Sequence, residues 1–315
     1  MANRKLYKYK SFNLQTLEML ICDNIYCADP TTFNDPLDTK PCIRADVSDV
    51  QLEGILRKLI EDRVYAEMQS AAFSIKYSGA NTLTHITRRS QLEADSVLDE
   101  IRYEATNPQY DGHNFNPLSS LLTIRLQWEL LRMYEKGVFC LAEKCDCPLM
   151  WSHYGDQHNG LCIGYRIPER AEDKIFKVSY RGAREVSASK IMAMLNSDKC
   201  AQREVDESVL LRKAGCWRYE KEWRLIGNRG PMRSPFELSE IIFGCRCPDF
   251  VKFSVISSLS QREGRIKYYE MRECAGEFRL KRYPVNICEL NVCYPRDNHA
   301  TQLLLTTLFG EQAEC

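Results

Sequence analysis

The chain opens with Leu6-Tyr7-Lys8-Tyr9-Lys10-Ser11, where large and polar residues alternate, and period-two alternation predicts a half-buried strand. Over 13–21 the spacing changes. Leu14, Leu17 and Leu20 recur at helical intervals, and Ile25-Tyr26-Cys27-Ala28 follows as a second strand. Segment 29–38 brackets a polar cluster between Pro30 and Pro36 and predicts an ordered turn in which Asn34 and Asp35 bond the local backbone. From 48 to 134 helical patterns dominate. Ser48 or Asp49 caps a helix with the stripe Leu52, Ile55, Leu56, Leu59 and Ile60, and further helices are expected over 90–103 and 118–134, with a polar loop at 107–116. Gly137 is expected in the left-handed conformation that ends the third helix. Strand patterns resume at 138–142, 161–165, 175–180 and 241–244, helices are expected over 187–195 and 206–213, and 266–271 with 278–283 predicts a hairpin.

Strands that need partners flank the helical block on both sides, so it reads as an insertion packed on a sheet. The expected architecture is one α+β domain over 1–315, with a helical insertion at about 48–134 and a C-terminal hairpin at about 265–284.

The stretch 217–226, Trp-Arg-Tyr-Glu-Lys-Glu-Trp-Arg-Leu-Ile, carries the sharpest pattern. Read as a strand, it puts Trp217, Tyr219, Lys221, Trp223 and Leu225 on one face and Arg218, Glu220, Glu222 and Arg224 on the other. Packed rings would then hold two carboxylates rigidly, as a catalytic acid or base requires; cross-paired charges on a surface strand would give the same pattern. A second concentration of chemistry is Met150-Trp151-Ser152-His153-Tyr154, where His153 and His158 flank a tight turn closed by Gly155.

Composition narrows the partners little. Lys plus Arg and Asp plus Glu both number 43, so net charge gives no case for nucleic acid, and only the hairpin, with Arg262, Arg265, Lys267, Arg272, Arg279, Lys281 and Arg282, is locally basic. Solvated edge-strand protection explains that bias most cheaply; a phosphate contact is the sharper option. No apolar run approaches the roughly 18 residues of a membrane span. The first residues carry no apolar signal core, and a cytoplasmic protein with no membrane partner is expected. The fifteen cysteines are scattered through apolar runs and read as reduced. Cys145 with Cys147 and Cys245 with Cys247 are spaced more tightly than the two to four intervening residues of a zinc knuckle, and no metal is expected.

Three motifs occur in order: Tyr7 to Ser11 with Phe33-Asn34-Asp35-Pro36, then Met150-Trp151-Ser152-His153-Tyr154, then Glu220-Lys221-Glu222-Trp223-Arg224. Together they resemble a bacterial family of unknown function with FNDP, MWSHY and EKEWR signatures. More distantly, the opening strand, helix, strand and polar turn, with the later Glu-Lys-Glu, are similar to ADP-ribosyltransferases. That resemblance implies a mixed or antiparallel sheet core of their type and NAD as substrate. Glu222 would be the catalytic carboxylate, with Glu220 orienting or deprotonating an acceptor. Tyr7, Lys8, Tyr9, Ser11, Asn34, Asp35, His153, Tyr154 and Arg224 would hold NAD. Lys8 stands where that superfamily has Arg or His, and its Ser-Thr-Ser element is absent. The acceptor, protein or nucleic acid, is left open, as is the oligomeric state. The implied role is a toxin-like effector in phage defence. Two other readings fit the residues: a metal-dependent nuclease or phosphodiesterase using Asp35, Asp38, His153 and His158, and a non-catalytic binding module.

Overall fold

A computed structural model describes residues 4–296, apart from 78, 111–115, 135 and 263, so part of the predicted 107–116 loop lies outside the described residues. Among the described residues there are twelve strands: β1 (Lys5–Lys10), β2 (Asn24–Cys27), β3 (Cys42–Arg44), β4 (Lys136–Ala142), β5 (Leu161–Arg166), β6 (Ile175–Lys177), β7 (Glu185–Ser187), β8 (Glu222–Asn228), β9 (Gly230–Arg233), β10 (Glu237–Phe243), β11 (Lys267–Glu273) and β12 (Leu280–Pro284). Eight form one sheet in the order β12-β11-β10-β5-β1-β4-β8-β6. All its neighbours are antiparallel except β10 and β11. A parallel pair needs a crossover, and the helix Asp249–Ser258, absent from the sequence reading, supplies it. β2 pairs with β9, and β3 with β7, as small separate sheets. The protein is a mixed α+β fold with a mostly antiparallel sheet.

Alternation along β1 sets its neighbours. Leu6 joins a core with Leu20, Ile25, Phe139, Leu161 and Ile163, while Tyr7 and Tyr9 face Met150, Trp151 and Cys162 on the other side. The helices Asp49–Ser74, Thr82–Glu104 and Pro117–Met133 bury Leu52, Leu56, Ile60, Leu98, Leu122 and Leu126 in a third cluster, against Val186, Ile191 and Val205. Ser48 and Gln51 close a full capping box on the first of them. No helix of the described residues is long and apolar enough to cross a membrane.

Several predicted elements differ. Segment 217–226 is not one strand: Gly215–Glu220 is a 3-10 helix, Lys221 turns left-handed at φ 46°, and the strand starts at Glu222. The two-faced ladder is therefore broken, and the fully buried face of β8 near the turn is the charged one. The second long helix starts at Thr82, well before the predicted 90, and the helix expected over 206–213 is Lys199–Leu210, because Asp198 caps it with bonds to Cys200 N and Ala201 N. The 175–180 strand stops at Lys177. Gly137 lies inside β4 and is needed for close approach: a Cβ there would sit 2.8 Å from Cys27 Cβ and Arg229 Cα. The hairpin pairs as expected, Glu270 opposite Tyr283, and forms the sheet edge.

That close approach shapes the site. β1 and β4 pair only at Tyr7 and Ala142, whereas β1 pairs with β5 along its whole length. Four residues back along β4, Val138 exchanges both backbone hydrogen bonds with Ala28, at 2.8 and 3.0 Å, so the chain after β2 occupies the edge β1 leaves. The two strands splay, and a cleft opens between them.

Candidate functional site

The cleft holds about 460 Å³, within the range of small-molecule pockets. Lys8, Tyr9 and Lys10 line one wall and Cys140, Leu141 and Ala142 the other; Phe33 and Asn34 overhang it, and His153, Tyr154, Lys213, Glu220 and Glu222 complete it.

Its floor is an ion cluster assembled from four segments. Lys213 Nζ lies 2.5 Å from Glu220, 3.1 Å from Glu222 and 3.5 Å from Asp38. Arg224, with no exposed surface, donates from Nε to Glu222 at 2.8 Å, from Nη2 to Asp38 at 2.7 Å and from Nη1 to Leu210 O at 2.7 Å. Three carboxylates thus face two cations, and Asp38 Oδ1 is buried without a hydrogen-bond partner. The Lys221 turn makes this possible, because it lets Glu220 and Glu222 reach the same ammonium from a 3-10 helix and a strand. Tyr180 Oη accepts from Glu222 N at 2.8 Å and fixes the start of β8.

Environment drives the two glutamates apart. Burial raises the proton affinity of Glu220, and the charge of Glu222 adds to it against the pull of Lys213. Burial acts on Glu222 in the same direction, but Arg224 and Lys213 outweigh it and hold that carboxyl well below the usual range. Tyr154 Oη donates to Glu220 at 2.8 Å and accepts from Asn34 Nδ2 at 3.4 Å, linking the 29–38 turn to the acid. Burial, with Lys8 beside it, lowers the Lys10 pKa. Neither Lys8 nor Lys10 has an ion-pair partner among the described residues; Lys8 rests over the Phe139 ring at 4.9 Å.

The short helix Pro148–Tyr154 presents His153 and Tyr154 because Trp151 anchors it: the indole is fully buried, meets Tyr9 edge-on at 5.2 Å and donates to Cys145 O at 2.8 Å. Exposed His153 stands 6.3 Å from Trp217 and 6.5 Å from Tyr219, an aromatic rim beside the cleft.

Of the residues picked out from the sequence, Tyr7, Lys8, Tyr9, Asn34, His153, Tyr154, Glu220 and Glu222 line this one cleft. Three do not. Ser11 only receives the Thr16 hydroxyl on its carbonyl, Asp35 folds back onto Leu37 N at 2.8 Å to pin its own turn, and Arg224 sits behind the carboxylates as their counter-ion. The aromatic rings do not back the acids as expected, since Trp217 and Trp223 are only half-buried. Of the nuclease set, Asp38 and His153 line the cleft, with Asp38 bound to cations, while Asp35 pins its own turn and His158 turns away to Ser152 at 3.2 Å and Cys245 at 3.6 Å. Among the described residues no three His, Cys, Asp or Glu side chains are grouped to hold a metal. Sequence reasoning left Lys213 and Lys10 out of the candidate site. The alternation of β1 marked Lys10; nothing local marked Lys213.

A family model described as a protein of unknown function (DUF2971) matches residues 150–225. The match spans the Met150 to Tyr154 segment and the Glu220 to Arg224 segment, and excludes the 29–38 turn. No curated protein and no solved structure matches the chain.

Proposed function

We propose that the cleft binds NAD and breaks the bond between nicotinamide and ribose, passing ADP-ribose to water or to an acceptor, on a scaffold of the ADP-ribosyltransferase type. The observation that carries this reading is the pair Glu220 and Glu222, sharing one ammonium at the cleft floor with proton affinities shifted in opposite directions. Such a division assigns roles. When the C1′–N bond breaks, its electrons leave with neutral nicotinamide and positive charge develops on the ribose, which ionised Glu222 stabilises. The incoming hydroxyl then bonds to C1′ and its proton passes to Glu220, whose raised proton affinity makes it the better base of the two carboxylates. Tyr9, Tyr154 and His153 offer ring faces to nicotinamide, and Lys8 with Lys10 offers two unpaired cations to the pyrophosphate. Consumption of NAD suits the toxin-like role in phage defence that the sequence resemblance implies.

A second reading, a binding module whose ion cluster only locks the sheet, is favoured by one observation: both oxygens of Glu222 already accept bonds from Arg224 or Lys213. Nicotinamide release separates the two. Purified full-length protein with NAD is expected to release nicotinamide equally with and without chelator, and Glu220→Gln is expected to lose roughly a hundredfold or more of that rate while keeping its circular dichroism. No release from the wild type, or equal release from the variant, overturns the NAD reading.

A further inference from the structure

A second concavity lies at the opposite end of β5 from the cleft, where Arg166 closes the strand, and holds about 680 Å³. It shares no lining residue with the cleft. Arg166, Arg170, Arg233, Arg262 and Arg265 converge on it from separate segments, against two carboxylates, Asp23 and Glu237. Two of these arginines are committed: Arg262 to Asp23 at 2.7 Å and Leu20 O at 3.2 Å, and Arg166 to Glu237 at 3.3 Å. Arg170, Arg233 and Arg265 have neither ion pair nor hydrogen bond from their side chains among the described residues. These three side chains are exposed and uncommitted, so they can turn together onto one anion without breaking an existing bond.

We infer that this hollow is a binding site for a compact oligophosphate, the chemistry carried by the di- or triphosphate group of a nucleotide. Guanidinium groups match phosphate oxygens two at a time, and three free ones correspond to an anion of several charges better than to a single sulfate-like ion. A hollow of this volume matches a small ligand. An extended nucleic-acid backbone would instead pass the Asp23 and Glu237 carboxylates. Phe236 is buried, so the hollow offers no ring for base stacking and recognition falls on the phosphates.

The test is calorimetric titration of the full chain with sodium tripolyphosphate near physiological salt, using wild type, the double variant Arg233→Ala/Arg265→Ala, and the control Arg88→Ala/Arg89→Ala on the remote helix Thr82–Glu104, where both arginines are exposed. Saturable one-to-one binding is expected for wild type and control, weakened at least about tenfold in the double variant. Adding nucleoside triphosphate in place of tripolyphosphate should give the same variant dependence. Unchanged binding in the double variant, binding lost in Lys10→Ala instead, or no saturable binding to wild type overturns the assignment. A single-stranded oligonucleotide that displaces tripolyphosphate at lower concentration than the triphosphate does would identify a nucleic-acid site and also overturn it. Because the cleft keeps Lys8 and Lys10 in the double variant, nicotinamide release is expected to be unchanged there, and the two sites are scored separately.

Discussion

Replacing Lys213 by methionine removes one ammonium and leaves the side-chain volume nearly unchanged. The lysine side chain is 5% exposed, and its three carboxylate partners stand 2.5, 3.1 and 3.5 Å away, so solvent screens the interaction little. Truncating one member of such a buried cluster costs about 3–5 kcal/mol, because the remaining charges are left uncompensated. The variant should therefore unfold at markedly lower denaturant at pH 7, followed by tryptophan fluorescence. Acid should narrow the gap. Glu222 has a depressed folded pKa in the wild type, so its contribution is present above its ordinary value of 4.5 and is lost as pH falls below it; Glu220, raised, costs stability as pH rises through its folded value. Without Lys213 both carboxyls bind protons more tightly in the folded state, so the variant recovers relative to wild type as pH falls from 7. A deficit under about 1 kcal/mol, as for a surface pair, or one that widens on acidification, would refute this reading of the floor.

Three further outcomes follow from the geometry. Tyr154→Phe deletes the 2.8 Å donor to Glu220, so nicotinamide release should fall about tenfold and the limb of the pH–rate profile governed by Glu220 should move to higher pH, since that bond lowers its pKa. Lys10→Ala should raise KM for NAD by about tenfold with kcat unchanged, as expected when a contact serves ground state and transition state alike. In Gly160→Ala the new Cβ would fall 2.3 Å from the carbonyl oxygen of Lys10, and neither backbone can yield cheaply; a loss of about 1–3 kcal/mol by denaturant titration is expected, and wild-type stability would contradict the close packing of β1 on β5.

Legibility in the sequence followed the locality of each cause. Tyr7, Lys8 and Tyr9 were readable because period two survives where each face of β1 meets its own core cluster. The capped helix at Asp49 was readable for the same reason, its signal lying within four residues. Segment 217–226 misled because alternating aromatics fit a strand, and nothing near Lys221 announces a left-handed residue where glycine is absent. Gly137 was noticed for the wrong reason: what excludes a side chain there is Cys27, more than a hundred residues earlier. Lys213 was invisible because its meaning depends on Asp38, Glu220 and Glu222 arriving from other segments. Asp35 and Arg224 carried motif chemistry that the fold spends on a turn and on charge balance.

NAD binding in the cleft can be seen in a crystal structure of Glu220→Gln grown with NAD, since the variant should bind the dinucleotide and turn it over too slowly to clear the site. Density for intact NAD is expected in the β1–β4 cleft, with the nicotinamide ribose against Glu222 and the pyrophosphate against Lys8 and Lys10. A cleft left empty at saturating NAD, whether or not a dinucleotide sits in the arginine-lined hollow, would contradict it.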